Sequence, residues 1–202
     1  MEKGDGLLIV LSGPSGAGKG TLCRELLRLE PNLQYSVSAT TRQPRPAEVE
    51  GVHYFFRTKA EFEEMIAKGE LLEWAEFCGN YYGTPIFGVE QALTAGKDVI
   101  LEIETQGALQ VKKRSPHGLF IFVAPPSLKA LSERIHKRGT EAEDVIARRL
   151  ATARQEINLL TEYDYVVVND EVPAAVHKLR SIIVAEKCRV ERNRFLFKEE
   201  HS

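Results

Sequence analysis

Gly13-Pro14-Ser15-Gly16-Ala17-Gly18-Lys19-Gly20-Thr21 follows directly on the apolar run Leu7-Leu8-Ile9-Val10-Leu11. An apolar run this short, closed by glycines, reads as a strand buried on both faces. The glycines let the chain turn tightly, so that several peptide N–H groups can face one anion. Leu22 to Leu29 reads as a helix, whose positive end faces the same anion. Lys19 adds a mobile point charge for the outer phosphates of a nucleoside triphosphate. The stretch is therefore a phosphate loop between a strand and a helix. It departs from the pattern at one place. Gly20 stands where a hydroxyl residue would ligate Mg²⁺, and Thr21 comes one position later. The ion is then left to phosphates, water and a carboxylate, which suits a cation that dehydrates reluctantly.

Strand and helix signals alternate outward from this loop, which indicates an α/β fold with a parallel sheet. Asp98–Glu104, Leu119–Ala124 and Tyr165–Asn169 read as further core strands. Helices are expected over 105–114, 127–137, 141–159 and 171–197. In the last, Lys187, Arg189, Arg192 and Arg194 read as a solvated face. Residues 36–87 interrupt the alternation and read as a small inserted α+β subdomain with a helix near 59–68. Residues 126–159 are helical, rich in Arg and Glu, and read as a lid. The core is then 1–35, 88–125 and 160–202.

With 27 Lys and Arg against 29 Asp and Glu, the chain has no net basic surface for nucleic acid. Its 202 residues suffice for one domain with a full core. Cys23, Cys78 and Cys188 are widely spaced and lack a metal-ligand pattern, so they read as reduced thiols in the cytoplasm. No apolar run is long enough for a membrane span.

A second phosphate site is expected at Ser38-Ala39-Thr40-Thr41-Arg42-Gln43-Pro44-Arg45. The prolines hold the segment out of helix, and Arg42 and Arg45 offer planar forks that grip phosphate. Tyr54 and Tyr82 are candidate hydroxyl contacts to that phosphate. Glu73 lies in an apolar setting and needs a partner, either an arginine or two adjacent N–H groups of a purine. Glu102 and Glu104 are two apart at a strand end, where open α/β sheets place ligands. One of them would hold Mg²⁺ through water, and the other would orient the base or pair with a cation. Arg134 and Arg138 share a helix face, and Arg149 follows on the next helix. Three such arginines suit the spread charge of phosphoryl transfer or, alternatively, a surface network with Glu133, Glu141 and Glu143.

From Gly6 to about Lys187 the chain resembles the guanylate kinase family. The resemblance rests on the 13–19 loop, the Ser38–Arg45 segment, Gly79-Asn80-Tyr81-Tyr82-Gly83-Thr84, Gln106-Gly107, Arg138-Gly139-Thr140 and Val168-Asn169-Asp170. It implies a P-loop nucleoside-monophosphate-kinase fold: a parallel sheet core flanked by helices, a GMP-binding insert and a helical lid. It implies transfer of the ATP γ-phosphate to GMP, and to dGMP, with Mg²⁺, in purine metabolism. By position, Arg42, Arg45, Tyr54 and Tyr82 would hold the GMP phosphate, and Ser38, Glu73 and Thr84 would read guanine, with Glu104 beside them. Residues 13–21 and Asn169 would bind ATP. Lys19, Arg134, Arg138 and Arg149 would act on the moving phosphoryl group. Glu102, with Thr21 as a weaker candidate, would face the metal. ATP and GMP are the expected partners, without nucleic acid or membrane, in a monomer or homodimer. A kinase for AMP or a pyrimidine monophosphate is the nearest alternative. A non-catalytic module of the same fold that binds phosphorylated partners is the alternative of a different class.

Overall fold

The computed structural model of the chain describes residues 6–77, 79–137 and 143–193. Among them the order is β1 (Leu8–Ser12), α1 (Lys19–Leu29), β2 (Leu33–Tyr35), β3 (Ala39–Thr40), β4 (Phe55–Phe56), α2 (Lys59–Ala67), β5 (Leu71–Phe77) and β6 (Asn80–Pro85). Then come α3 (Ile86–Thr94), β7 (Asp98–Glu102), α4 (Thr105–Arg114), β8 (Leu119–Ala124), α5 (Leu128–Lys137), α6 (Glu143–Ile157), β9 (Tyr165–Val168), α7 (Val172–Lys187) and α8 (Val190–Asn193).

The core sheet runs β2-β7-β1-β8-β9, with every pairing parallel. β1 is central, which explains its unbroken apolar run. Ile9 and Leu11 face a cluster with Leu22 and Leu26 of α1 and Leu179 and Ile183 of α7. Leu8 and Val10 face the opposite cluster with Val89 of α3 and Ala108 and Val111 of α4. Helices thus cover both faces, and the β-strand C-termini open toward the glycine-rich loop.

A second sheet, β4-β3-β6-β5, carries the residues around 38–85. Helix α2 packs Phe62 on Ala39 and Leu71 beneath it. Its start is fixed by a capping box: Thr58 Oγ1 accepts from the Glu61 N–H, and the Thr58 N–H donates to the Glu61 carboxylate. Edge strand β5 is fastened to α4. Gln110 exchanges two hydrogen bonds with the Trp74 backbone, and Arg114 donates to the Leu71 carbonyl at 2.5 Å. These side chains, four apart on one helix face, satisfy an edge that would otherwise be open. Helices α5 and α6 form their own small core around Leu131, Ile135, Ile146 and Ala153.

Several boundaries depart from the expectations. α1 begins at Lys19, because Gly18 at φ 93° caps it in the left-handed region. β7 ends at Glu102, and Glu104 is the N-cap of α4, so the two glutamates do not share a strand face. Helix α3 was not anticipated. The expected helix 171–197 stops at Lys187, where the Asn193 amide donates to the carbonyls of Lys187 and Arg189. Its cations are not merely solvated. Lys187 pairs with buried Asp98, and Arg189 and Arg192 lie 3.6 and 3.8 Å from buried Glu186. Arg194 lies outside the described residues.

Candidate active site

The glycine-rich loop borders a groove of about 620 Å³ whose lining includes Ser15, Gly18, Lys19, Gly20, Thr21, Tyr35, Glu102 and Glu104. Backbone approach makes the glycines necessary. A Cβ on Gly13, at φ 137°, would lie 2.2 Å from the Val123 carbonyl oxygen. One on Gly18 would lie 2.4 Å from the Asn169 amide nitrogen. Asn169 is buried, and its amide donates to the Ala17 carbonyl at 2.8 Å. That hydrogen bond braces the loop, where the resemblance implies that Asn169 also lies near the ATP adenine.

Lys19 is buried in this state. Its ammonium donates to the Gly13 carbonyl and, at 3.4 Å, to that of Pro14, and lies 3.9 Å from a Glu104 oxygen. Glu102 is half-buried; burial raises its pKa, while the Lys19 charge and a hydrogen bond from the Tyr35 hydroxyl oppose the rise. Glu104 is exposed at the start of α4, yet both glutamates line the same groove. Glu156 near the end of α6, which the sequence reading passed over, is buried against them. It accepts from the Thr105 hydroxyl, and burial followed by the Glu104 charge raises its pKa. In sequence it cannot be told from the solvated acids of an Arg- and Glu-rich helix.

The second sheet gathers a separate cluster. The Arg42 Nη2 reaches both Glu48 oxygens, at 2.8 and 2.9 Å, and its guanidinium lies 5.5 Å from the Tyr54 ring centroid. Tyr54 and Tyr82 meet edge to face at 6.1 Å. Arg45 is exposed, and its backbone N–H also donates to Glu48. Glu48 was missed; its signal was its place three residues after Arg45, at the end of the proline-stiffened segment.

Glu73 and Thr84 are cross-strand partners on β5 and β6, both buried. The Thr84 hydroxyl donates to Glu73 Oε1 at 2.7 Å, so Glu73's partner is a hydroxyl and not an arginine. Burial pushes its carboxyl up to about 7. A Cβ on Gly107 would stand 2.6 Å from Glu73 Oε2, so the glycine in the first turn of α4 makes room for the carboxylate. Ser38 is half-buried, its carbonyl taken by the Phe55 N–H.

From the helical pair, Arg149 donates to the Ser15 hydroxyl at 2.8 Å. Arg134 donates to the Asn169 carbonyl at 2.8 Å, so it touches the residue that braces the loop. Arg149 therefore touches the loop directly, and Arg134 touches it only through Asn169. Arg138 lies outside the described residues, as does Glu141. Among the described residues, Cys23 and Cys188 are free thiols, and no helix is long and apolar enough to cross a membrane.

Residues 6–186 match the family model described as guanylate kinase. A guanylate kinase of Desulfitobacterium hafniense is 69% identical over 197 residues, covering 98% of each chain. One of Halalkalibacterium halodurans is 59% identical over 192 residues, covering 95% of this chain and 94% of its own. The crystal structure of guanylate kinase from Anaplasma phagocytophilum superimposes with a TM-score of 0.79 at 33% identity, covering 99% of this chain and 97% of that one.

Proposed function

The chain belongs to the guanylate kinase family and phosphorylates GMP with ATP, and we propose that it does so between the glycine-rich loop and the second sheet. The loop and Lys19 take the ATP phosphates. Arg42, Arg45, Tyr54 and Tyr82 take the GMP phosphate. Glu73, with Ser38, Thr84 and nearby Glu104, reads the base. The buried Glu73–Thr84 pair is the observation that carries this assignment. Guanine presents N1–H and a 2-amino group to a carboxylate and O6 to a hydroxyl; adenine has neither of those donors.

The chemistry asks little of the side chains beyond placement and charge. The attacking phosphate oxygen is anionic near neutral pH, so no general base is needed. Lys19, Arg134, Arg138 and Arg149 offset charge on the moving group. Closure of 126–159 over the groove expels the water that would otherwise accept the phosphoryl group.

Mg²⁺ fits this groove. Glu102, Glu104 and Thr21 offer hard oxygens beside Lys19. No group of three or more described His, Cys, Asp or Glu side chains could hold it alone. Phosphates and water would complete its shell, the usual arrangement for this ion. When bound, it neutralises phosphate charge. Free thiols at Cys23 and Cys188 support the cytoplasm as the compartment.

The test is ADP release from ATP across all nucleoside monophosphates. GMP should be preferred to AMP by roughly 10⁴ in kcat/KM, because a site built on buried polar groups leaves them unpaired with the wrong base. Equal rates on both would overturn the base assignment.

A further inference from the structure

Gly20 lies in the first turn of α1, where glycine is a poor helix former, and its φ is not in the left-handed region. The backbone therefore does not require glycine there. A side chain there would instead crowd the carboxylate opposite. A Cβ built on Gly20 lies 3.3 and 3.4 Å from the two Glu102 carboxylate oxygens and 3.7 Å from its Cδ. These three atoms are its nearest neighbours. A serine hydroxymethyl at this position would extend beyond that Cβ, into or against the carboxylate. Glutamate reaches one methylene further than aspartate, and that extra length brings the carboxylate up to the bare Cα. The Tyr35 hydroxyl lies near enough to the carboxylate to favour its charged form.

We propose that Gly20 and Glu102 form one unit, in which the Glu102 carboxylate fills the space of the missing loop hydroxyl and takes over its task as the direct protein ligand of the divalent cation on ATP. The proposal rests on reading residues 13–21 as the ATP loop. The departure from the phosphate-loop pattern at Gly20 is then compensated by the carboxylate opposite. Absence of a side chain at 20 and extra length at 102 are complementary, and neither works alone. Gly20→Ser crowds the carboxylate out of place. Glu102→Asp withdraws it from the ion and leaves a gap. Made together, the changes put a hydroxyl where the carboxylate was and give it room.

The experiment is a double-mutant cycle on Mn²⁺ affinity. Wild type, Gly20→Ser, Glu102→Asp and the double variant are titrated with Mn²⁺ in the presence of a non-hydrolysable ATP analogue, followed by electron paramagnetic resonance. Analogue affinity is measured separately in EDTA by calorimetry. Each single change should weaken Mn²⁺ by about tenfold or more. The double variant should return to within about threefold of wild type, far from the product of the single effects. All four should bind the metal-free analogue alike. Glu102→Gln, which keeps shape and removes charge, should weaken Mn²⁺ at least as much and serves if a single variant folds poorly. Single effects that multiply, or an unchanged Mn²⁺ affinity in Gly20→Ser or Glu102→Gln, overturn the pairing while leaving the ATP loop intact. Failure of wild type to bind the analogue with or without metal overturns the ATP-loop reading instead.

Discussion

Replacing Glu73 by glutamine removes a titration and leaves the shape nearly unchanged. Burial raises this carboxyl from an ordinary 4.5 to about 7. Guanine's N1–H and 2-amino group are donors, so GMP binds the ionised form. At pH 5.5 only about 3% of a group with this pKa is ionised, and affinity should fall roughly thirtyfold from its alkaline plateau. The GMP phosphate also titrates, with a second pKa near 6. The variant carries that titration too, so the ratio of the two Kd values isolates Glu73. Glutamine keeps one acceptor and loses a hydrogen bond to a charged group, worth about 2–3 kcal/mol, or about 100-fold. The ratio should therefore shrink from about 100 at pH 8.5 to about three at pH 5.5. Stability runs the other way. A carboxyl whose folded pKa is raised contributes fully below its unfolded value of about 4.5, and that contribution is lost as pH rises through about 7, a loss of roughly 3 kcal/mol. The variant should gain on wild type over that window. Glu156 is present in both proteins, so its own raised pKa cancels. Calorimetry of GMP binding across pH 5.5–8.5 and urea melts across pH 4.5–8.5 measure both slopes. A Kd ratio that does not change with pH would refute the reasoning.

Two other expectations concern charge and the core. Arg42→Ala should weaken GMP by about 100-fold with ATP affinity nearly unchanged, whereas Arg149→Ala should lower kcat by a similar factor and spare GMP binding. Calorimetry beside steady-state rates checks this, and the opposite pattern would exchange the roles of the two clusters. Asp98 is buried and accepts from the Leu7 N–H at 3.1 Å and from Lys187. Asp98→Ala should cost about 2–3 kcal/mol, lowering Tm by about 4–12 °C for a chain of this size. Its kcat should hold, because Asp98 starts β7 at the end away from Glu102; a Tm drop under 2 °C would count against the argument.

What the sequence made legible follows from burial. Strands buried on both faces leave continuous apolar runs, so β1, β7 and β8 could be read directly. The glycine-rich loop could be read because its backbone approaches Val123 and Asn169 too closely for any side chain. Helix α3 could not, since it buries only Val89 and Ala92 and begins with no turn between it and β6, right after Pro85. The stop at Lys187 could not either. Apolar periodicity continues past it, and the break depends on Asn193 reaching back to two carbonyls. Motif residues revealed which cations matter but not what holds them before substrate arrives. Glu48 and Glu156 are such holders; nothing local distinguishes Glu156 from surface acids, and Glu48 is marked only by its place three residues after Arg45.

Those holders explain how the site can be both ready and quiet. Lys19 donates to two neutral carbonyls with the Glu104 carboxylate 3.9 Å away, and Arg149 donates to the Ser15 hydroxyl. A triphosphate offers charged acceptors, whose hydrogen bonds are about twice as strong as neutral ones, so it outcompetes these neutral partners. Arg42 differs, since Glu48 already takes its Nη2 in a two-oxygen contact. The carboxylate aims the fork and takes one arm, and the Gln43 carbonyl, at 2.7 Å, takes a donor of the other; a phosphate would have to use the remaining donors of this five-donor group or displace these partners. Holding the fork in place before binding reduces the ordering cost when GMP arrives. It also makes Arg42 selective, because an anion must match the arms that Glu48 leaves. The two phosphate sites therefore differ in kind: the loop yields weak internal partners to any suitably placed phosphate chain, and the second sheet presents one oriented fork to a single phosphate group.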